Sequence, residues 1–179
     1  VISALAARGQ GVRALVNWPG AVATVLAAGA QEAAVGDLLR AADVRAACRN
    51  VAAIYHICPN MHPDEVTIGA TVLACAQAAG LEHLVYHSVL HPQTAAMPHH
   101  WHKLLVEERI FASGLPFTIL QPAAYMQNLA SYWQAVRQTG IYAVPYPPAT
   151  RLSLVDVRDV AGVAGRVLTE PGHEGATYE

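Results

Sequence analysis

Leu81–Lys103, LEHLVYHSVLHPQTAAMPHHWHK, is the stretch on which the fold turns. It divides into an apolar strand ending on LVYHS, a loop rich in Pro and His, and a helix that opens with PHHWHK. Open α/β sheets place ligands in the crevice beyond the carboxyl ends of parallel strands, so Ser88 is expected where a reactive group is presented. On the following helix His99 and Lys103 stand four residues apart and share one face, a single turn from each other. A strand-end Ser followed by a helical His and Lys is an arrangement able to move protons.

Working outward, the 179 residues suit one domain, 1–179, with a sizeable core. Hydrophobic residues make up 54% of the chain and charged residues 13%, which predicts strands buried on both faces and excludes disorder. A net charge of −2 gives no electrostatic footprint for nucleic acid or an anionic membrane surface. Cys48, Cys58 and Cys75 form an odd, widely spaced set without a CxxC pair, as expected of reduced thiols in a cytoplasmic protein. No apolar run reaches transmembrane length and no basic-then-apolar leader is present, so a soluble protein is expected. The chain starts at Val1 in what looks like the second half of an amphipathic helix, from which a missing upstream segment is expected.

The pattern of elements is regular. Val1–Ala7 is predicted helical, with Gly9 and Gly11 turning the chain into a first strand, Val12–Val16. NWPG makes a turn before a short helix, Val22–Ala28, and QEAAVGDL supplies a strand ending at Gly36 and Asp37. A helix over Asp43–Arg49 precedes the buried strand VAAIYHICP, stopped by Pro59. Glu65–Ala79 is an Ala-rich helix closed by Gly80, and Pro98–Ser113 a helix ending at Gly114. PFTILQP is another strand. Tyr125–Gln138 is expected as helix, Gly140–Thr150 as a Pro-rich loop, RLSLVDV as a short strand and Asp159–Thr169 as the last helix. Alternation of this kind implies right-handed crossovers and a doubly wound, mostly parallel α/β sheet.

In order along the chain, ARGQGVRALVN, VGDL, IYHICP, LVYHSVLHP, HKLLVEERIFASGLPFTILQPAAYMQNL and SLVDVRDVAGVAGRVLTEPGHEGATYE cover nearly all of the sequence. Together they resemble the NmrA-like branch of the atypical short-chain dehydrogenases/reductases. The resemblance implies a Rossmann-like domain that binds NAD or NADP, with residues 123–155 contributing to the substrate side. In that family a strand and a Gly-rich loop hold the pyrophosphate, and neither precedes Val1 here. The missing strand would be central, between the VRALV and VAAIYHI strands. Its absence predicts two buried edges with unpaired amides, or else direct pairing of those two strands.

The resemblance also implies roles for individual residues. The short-chain dehydrogenase signature is a Tyr, three residues and a Lys, with an upstream Ser. Matching Lys103 to the signature Lys places His99, not Tyr, at the base position, with Ser88 upstream. Lys103 would bind the nicotinamide ribose, Lys103 or His99 would supply the proton, and Ser88 would orient the substrate oxygen; His99 would titrate near physiological pH, though a neighbouring ammonium disfavours its charged form. Asn17 falls where such folds choose between NAD and NADP, and it leaves that preference open. Asp37 and Leu38 match the adenine-side motif, Cys58 and Pro59 end a strand beside the expected cofactor, and Tyr125 and Asn128 match the substrate side.

Each residue has a plainer role to weigh. Lys103 and Glu107 are spaced as a solvated helix pair. Ser88 suits a hydroxyl-to-backbone bond at the strand end. His91, His99, His100 and His102 invite a metal, but without HExxH or an acidic partner they are expected to be a surface cluster, and no metal is expected. Nothing in the sequence lowers the pKa of Cys58, so packing is its expected role. Asp37 suits a turn or cap, Tyr125 suits packing under its helix, and Asp156 and Asp159 suit caps of the last helix. Three functions follow: an NAD(P)H-dependent reductase of a small carbonyl, quinone or related electrophile; a non-catalytic dinucleotide sensor acting on a regulatory protein partner; or a folded piece without activity of its own.

Overall fold

The computed structural model describes residues 1–144 and 146–179; Pro145, within the expected Pro-rich loop, lies outside the described residues. Its elements follow the predicted alternation closely. Helix α1 (Ile2–Ala6) leads through a glycine turn into β1 (Arg13–Val16); α2 (Val22–Ala27) and β2 (Glu32–Val35) follow. Next come α3 (Ala41–Ala47), β3 (Ala53–His56), α4 (Glu65–Ala79), β4 (His83–His87), α5 (Pro98–Phe111) and β5 (Phe117–Leu120). The C-terminal part holds β6 (Ala124–Tyr125), α6 (Asn128–Thr139), β7 (Leu154–Val155), α7 (Val157–Val167) and β8 (Ala176–Tyr178). Gly80 ends α4 with φ +64°, the left-handed conformation that an L side chain resists.

Among the described residues all pairings are parallel: β3-β4-β5-β8 form one sheet, β1-β2 a second and β6-β7 a third. Helices cover both faces of the four-stranded sheet. On one face Ile68, Val72 and Cys75 of α4 and Val106 and Ile110 of α5 pack on Leu84, Tyr86 and Ile119. On the other, Ala164 and Val167 of α7 pack on Val85 and Leu120, with Val1 and Tyr55 beside them. Burial of these strands on both faces explains their continuous apolar runs.

Strands β1 and β3 do not pair with each other; instead both line a cleft of about 1260 Å³, with α1 and α7 contributing to its walls. Of the two expectations for these strands, separated edges therefore hold and direct pairing does not.

Several boundaries differ from expectation, for local reasons. Tyr125 is not helical: Ala124 and Tyr125 align with Leu154 and Val155, and Met126 N donates to Val155 O, so the ladder holds the residues before α6 extended. The last helix starts two residues early because the Asp156 side chain caps it, accepting from Arg158 N at 2.8 Å. The segment ending the chain becomes β8 because β5 offers it a free edge: Gly175 N donates to Phe117 O, and Gln121 N to Tyr178 O.

Candidate functional site

The carboxyl ends of β3, β4 and β5 bring His56, His87, Ser88 and Gln121 together, and α4 and α5 add Glu65, Lys103 and Glu107. Three hydrogen-bonded groups result. In the first, Glu65 is 1% exposed and its Oε1 accepts from Tyr86 OH at 2.9 Å and from Lys103 Nζ at 2.7 Å. The same ammonium donates to the His87 carbonyl at 3.2 Å and lies 5.4 Å from the centroid of the Tyr86 ring. Lys103 thus points inward to the end of β4, and its ion-pair partner is Glu65 of α4 rather than Glu107 of its own helix.

Glu107 belongs to a second group. It is buried, accepts from Ser88 Oγ, and holds Gln121 Nε2 at 3.0 Å from each carboxylate oxygen. Burial pushes its pKa up, while the bonds from Ser88 and Gln121 and the charge of Lys103 pull it down. The solvated Lys103–Glu107 pair is therefore replaced by two separate buried contacts. Ser88 is 2% exposed, and its hydroxyl bonds a carboxylate rather than the backbone.

The third group is a line of side chains. Tyr55 OH contacts His87 Nδ1, and Tyr125 OH lies 2.5 Å from His87 Nε2. Burial, with Lys103 next, pushes the His87 pKa down to about 4, so the ring is neutral. Burial also raises both tyrosines. His56 stacks on Tyr86 with ring centroids 5.7 Å apart and is pushed down to about 3 by burial and then by Lys103. Its Nε2 is buried without a partner among the described residues.

The remaining predicted residues sit around this centre. His99 is half-buried against His100, ring to ring at 4.7 Å, and burial lowers its pKa, followed by His100 and Lys103. Cys58 is buried, and burial pushes its thiol up to about 12, far from a reactive thiolate. Pro59 is exposed and its carbonyl accepts from His62 N. Asn17 is exposed just past β1. Asp37 is exposed, accepts from Leu39 N at 2.9 Å, and its own N–H donates to Asp43 Oδ2, while Leu38 packs against the core. Tyr125 lines the cleft, and Asn128 is exposed on the first turn of α6. Among the described residues no group of three or more His, Cys, Asp or Glu could hold a metal ion.

Sequence reasoning missed Glu65, Glu107 and Gln121 as members of this centre, and gave no role to the histidines ending β3 and β4. The repeated Tyr-His pairs, Tyr55-His56 and Tyr86-His87, were the available signal, since a polar ring at the end of a buried strand needs a partner. Glu65 opens α4 as an acidic first-turn residue, a common position that by itself does not signal burial.

Parallel strands with helices on both faces, and polar groups gathered beyond the strand ends, define the dinucleotide-fold class of α/β proteins. Within that class the chain belongs to the NmrA-like family, whose model matches residues 1–178. It is 34% identical over 170 residues to the NAD(P)H azoreductase of Xenophilus azovorans, covering 93% of this chain and 57% of that protein. It shares its fold with the NADPH-dependent quinone oxidoreductase of Escherichia coli complexed with NADPH (TM-score 0.82, 24% identity, 93% of this chain and 58% of that one). The triphenylmethane reductase of Citrobacter sp. complexed with NADP(H) is similar too (TM-score 0.78, 25% identity, 93% and 59%). The chain thus spans somewhat over half the length of these relatives. None of its helices is long and apolar enough to cross a membrane among the described residues.

Proposed function

We propose that the protein is an NAD(P)H-dependent reductase of small electrophiles, with quinones and azo or related dyes ahead of simple carbonyls. The observation that supports this best is Lys103, whose ammonium is fixed by Glu65 and the His87 carbonyl at the carboxyl end of β4. The donor set suits a dinucleotide: the strand ends that hold that ammonium also carry His56 Nε2, a buried polar atom without a partner among the described residues, on a ring that feels the charge of Lys103. When bound, the cofactor supplies hydride from its reduced nicotinamide.

In this reading Lys103 holds the nicotinamide ribose, with Cys58 and Pro59 at the adjoining strand end. Asn17 faces the adenosine ribose, and its neutral amide selects neither NAD nor NADP. Asp37 and Leu38 line the adenine side. Residues 123–155 form the substrate side through Tyr125 and Asn128, and 1–179 act as one cofactor-binding domain. Ser88, bonded to Glu107, orients the substrate oxygen, and His99 supplies a half-buried ring next to Lys103. Three buried free thiols suit a reducing compartment, so we place the protein in the cytoplasm.

The test is oxidation of NADH and NADPH by the intact protein against a panel of quinones, azo dyes and carbonyls. Turnover with quinones or azo dyes is the expected result; cofactor binding without turnover on any acceptor would overturn the reading.

A second reading, a dinucleotide sensor with a regulatory protein partner, draws support from α6, where Leu129, Tyr132 and Trp133 are exposed and Ile141 follows. A sensor must bind its partner differently with and without NAD(P), because equal affinity shifts nothing. Calorimetry showing the same partner affinity in both states removes this alternative.

A further inference from the structure

We propose that Tyr125, His87 and Tyr55 are a proton relay, with Tyr125 giving the proton that completes reduction and the other two replenishing it. The inference rests on the reductase reading and adds a proton donor to it.

The geometry carries the idea. Each nitrogen of one imidazole has a phenol against it: Tyr55 at Nδ1 and Tyr125 at Nε2. A neutral imidazole has one N–H and one lone pair, so the two phenols cannot both donate to it. One hydroxyl must give a hydrogen bond to the ring while the other receives one. The line therefore has two polarities, related by moving every proton one step. With the proton on Nε2, Tyr55 donates to Nδ1 and the Tyr125 oxygen accepts from the ring, leaving the Tyr125 hydrogen free for another acceptor. All three side chains line the cleft between β1 and β3.

The step balances as follows. Two-electron reduction of a quinone carbonyl or an azo group adds a hydride and a proton. The hydride comes from the reduced dinucleotide, which is oxidised as the substrate is reduced. The proton comes from Tyr125: its O–H bond breaks as an O–H or N–H bond forms on the substrate heteroatom. The Tyr125 oxygen then takes the Nε2 proton, Nδ1 takes the proton of Tyr55, and the Tyr55 oxygen recovers one from solvent. Rotation of the hydroxyls and a second tautomer change reset the line. Tyr125 is the catalytic residue here, and His87 and Tyr55 are positioning residues that act through it.

Burial keeps the ring neutral, which the scheme needs, because an imidazolium would donate from both nitrogens and block the exchange. The simpler role for these side chains is a static hydrogen-bonded cluster, which needs one fixed tautomer.

The test compares the intact protein with Tyr125→Phe and His87→Gln. Gln keeps one donor and one acceptor but has no tautomers to exchange at neutral pH. Both variants should lose kcat on the order of 10²-fold with a chosen quinone, the scale of general acid catalysis, and show a larger solvent deuterium isotope effect on kcat as proton delivery becomes limiting. Dissociation constants for NADPH, followed by nicotinamide fluorescence, should stay unchanged. Nitrogen-15 NMR of the unaltered protein without cofactor provides an independent readout: both His87 nitrogens should show shifts between those of the two tautomers, and Tyr55→Phe should fix one of them. A single fixed tautomer in the unaltered protein, or kcat preserved in both variants, overturns the relay and leaves the reductase reading standing. Absence of NAD(P)H oxidation by the unaltered protein with every acceptor overturns the reading, and the relay's role with it.

Discussion

Lys103 Nζ lies 2.7 Å from Glu65 Oε1, and that carboxylate is 1% exposed, so the lysine most readily mutated as a test of chemistry is also the counter-ion of a buried charge. Removing one partner of such a pair strands the other in a low-dielectric interior, at a cost of about 3–5 kcal/mol. Lys103→Ala is therefore expected to lower the urea midpoint sharply as well as any cofactor affinity. Lys103→Ala combined with Glu65→Gln, which removes the stranded charge, should recover much of the stability without restoring cofactor binding. A single variant as stable as the parent would show that the pair contributes little to folding.

Stability should also fall in mild acid. His56 and His87 have folded-state pKa values of about 3 and about 4, against 6.5 when exposed. Above pH 6.5 neither state binds a proton at these rings and they add no pH dependence. Below it the unfolded chain takes up protons that the folded chain refuses, so unfolding is favoured by about 1.4 kcal/mol per pH unit for each ring. The slope from His87 ends near pH 4 and that from His56 near pH 3. Glu107 acts in the opposite sense, since its raised pKa lets the folded form hold a proton longer. Thermal denaturation between pH 7 and 4.5 should show a falling Tm, with part of the slope removed in His87→Gln. A flat profile would mean that both rings are solvated.

Ser88 gives a third test. Its hydroxyl and the Gln121 amide are the donors held by the buried Glu107 carboxylate. Ser88→Ala removes one of them and should cost about 1–3 kcal/mol, because a buried acceptor loses its partner. Glu107→Gln should cost less than Glu107→Ala, since it fills the same space and carries no charge to desolvate. If Ser88→Ala alters turnover but not the urea midpoint, the hydroxyl acts on substrate rather than as a support for Glu107.

Much of the fold was legible because it is written in local signals. Alternating apolar runs and amphipathic helices, with Gly80 and Gly114 as stops, give the element order directly. The family motifs then give the position of Lys103. What escaped are features that depend on partners far along the chain. Tyr125 looked helical until Val155 supplied a ladder, and the final strand exists because β5 has a free edge. Glu107 looked like a surface partner for Lys103, since helical spacing places two residues on one face without saying which groups from other strands meet them. Glu65 is 38 residues from Lys103, and no spacing rule links them.

Packing between α4 and α5 yields the last prediction. A Cβ added at Gly69 would stand 2.7 Å from Val106 Cγ2 and 2.8 Å from Cγ1, closer than real carbon contacts allow. Gly69 is buried within α4, where Ala would favour the helix by about 1 kcal/mol in isolation. Forcing two branched methyls aside in a close-packed core costs about 1–3 kcal/mol, so packing should outweigh propensity and Gly69→Ala should destabilise the protein. Val106→Ala alone leaves a cavity and should destabilise it too. Because the added methyl occupies part of that cavity, the double variant should be more stable than the sum of the single effects predicts, by on the order of 1 kcal/mol. Urea unfolding of the four proteins closes the cycle, and strict additivity would show that the helices separate to admit the methyl without contacting Val106.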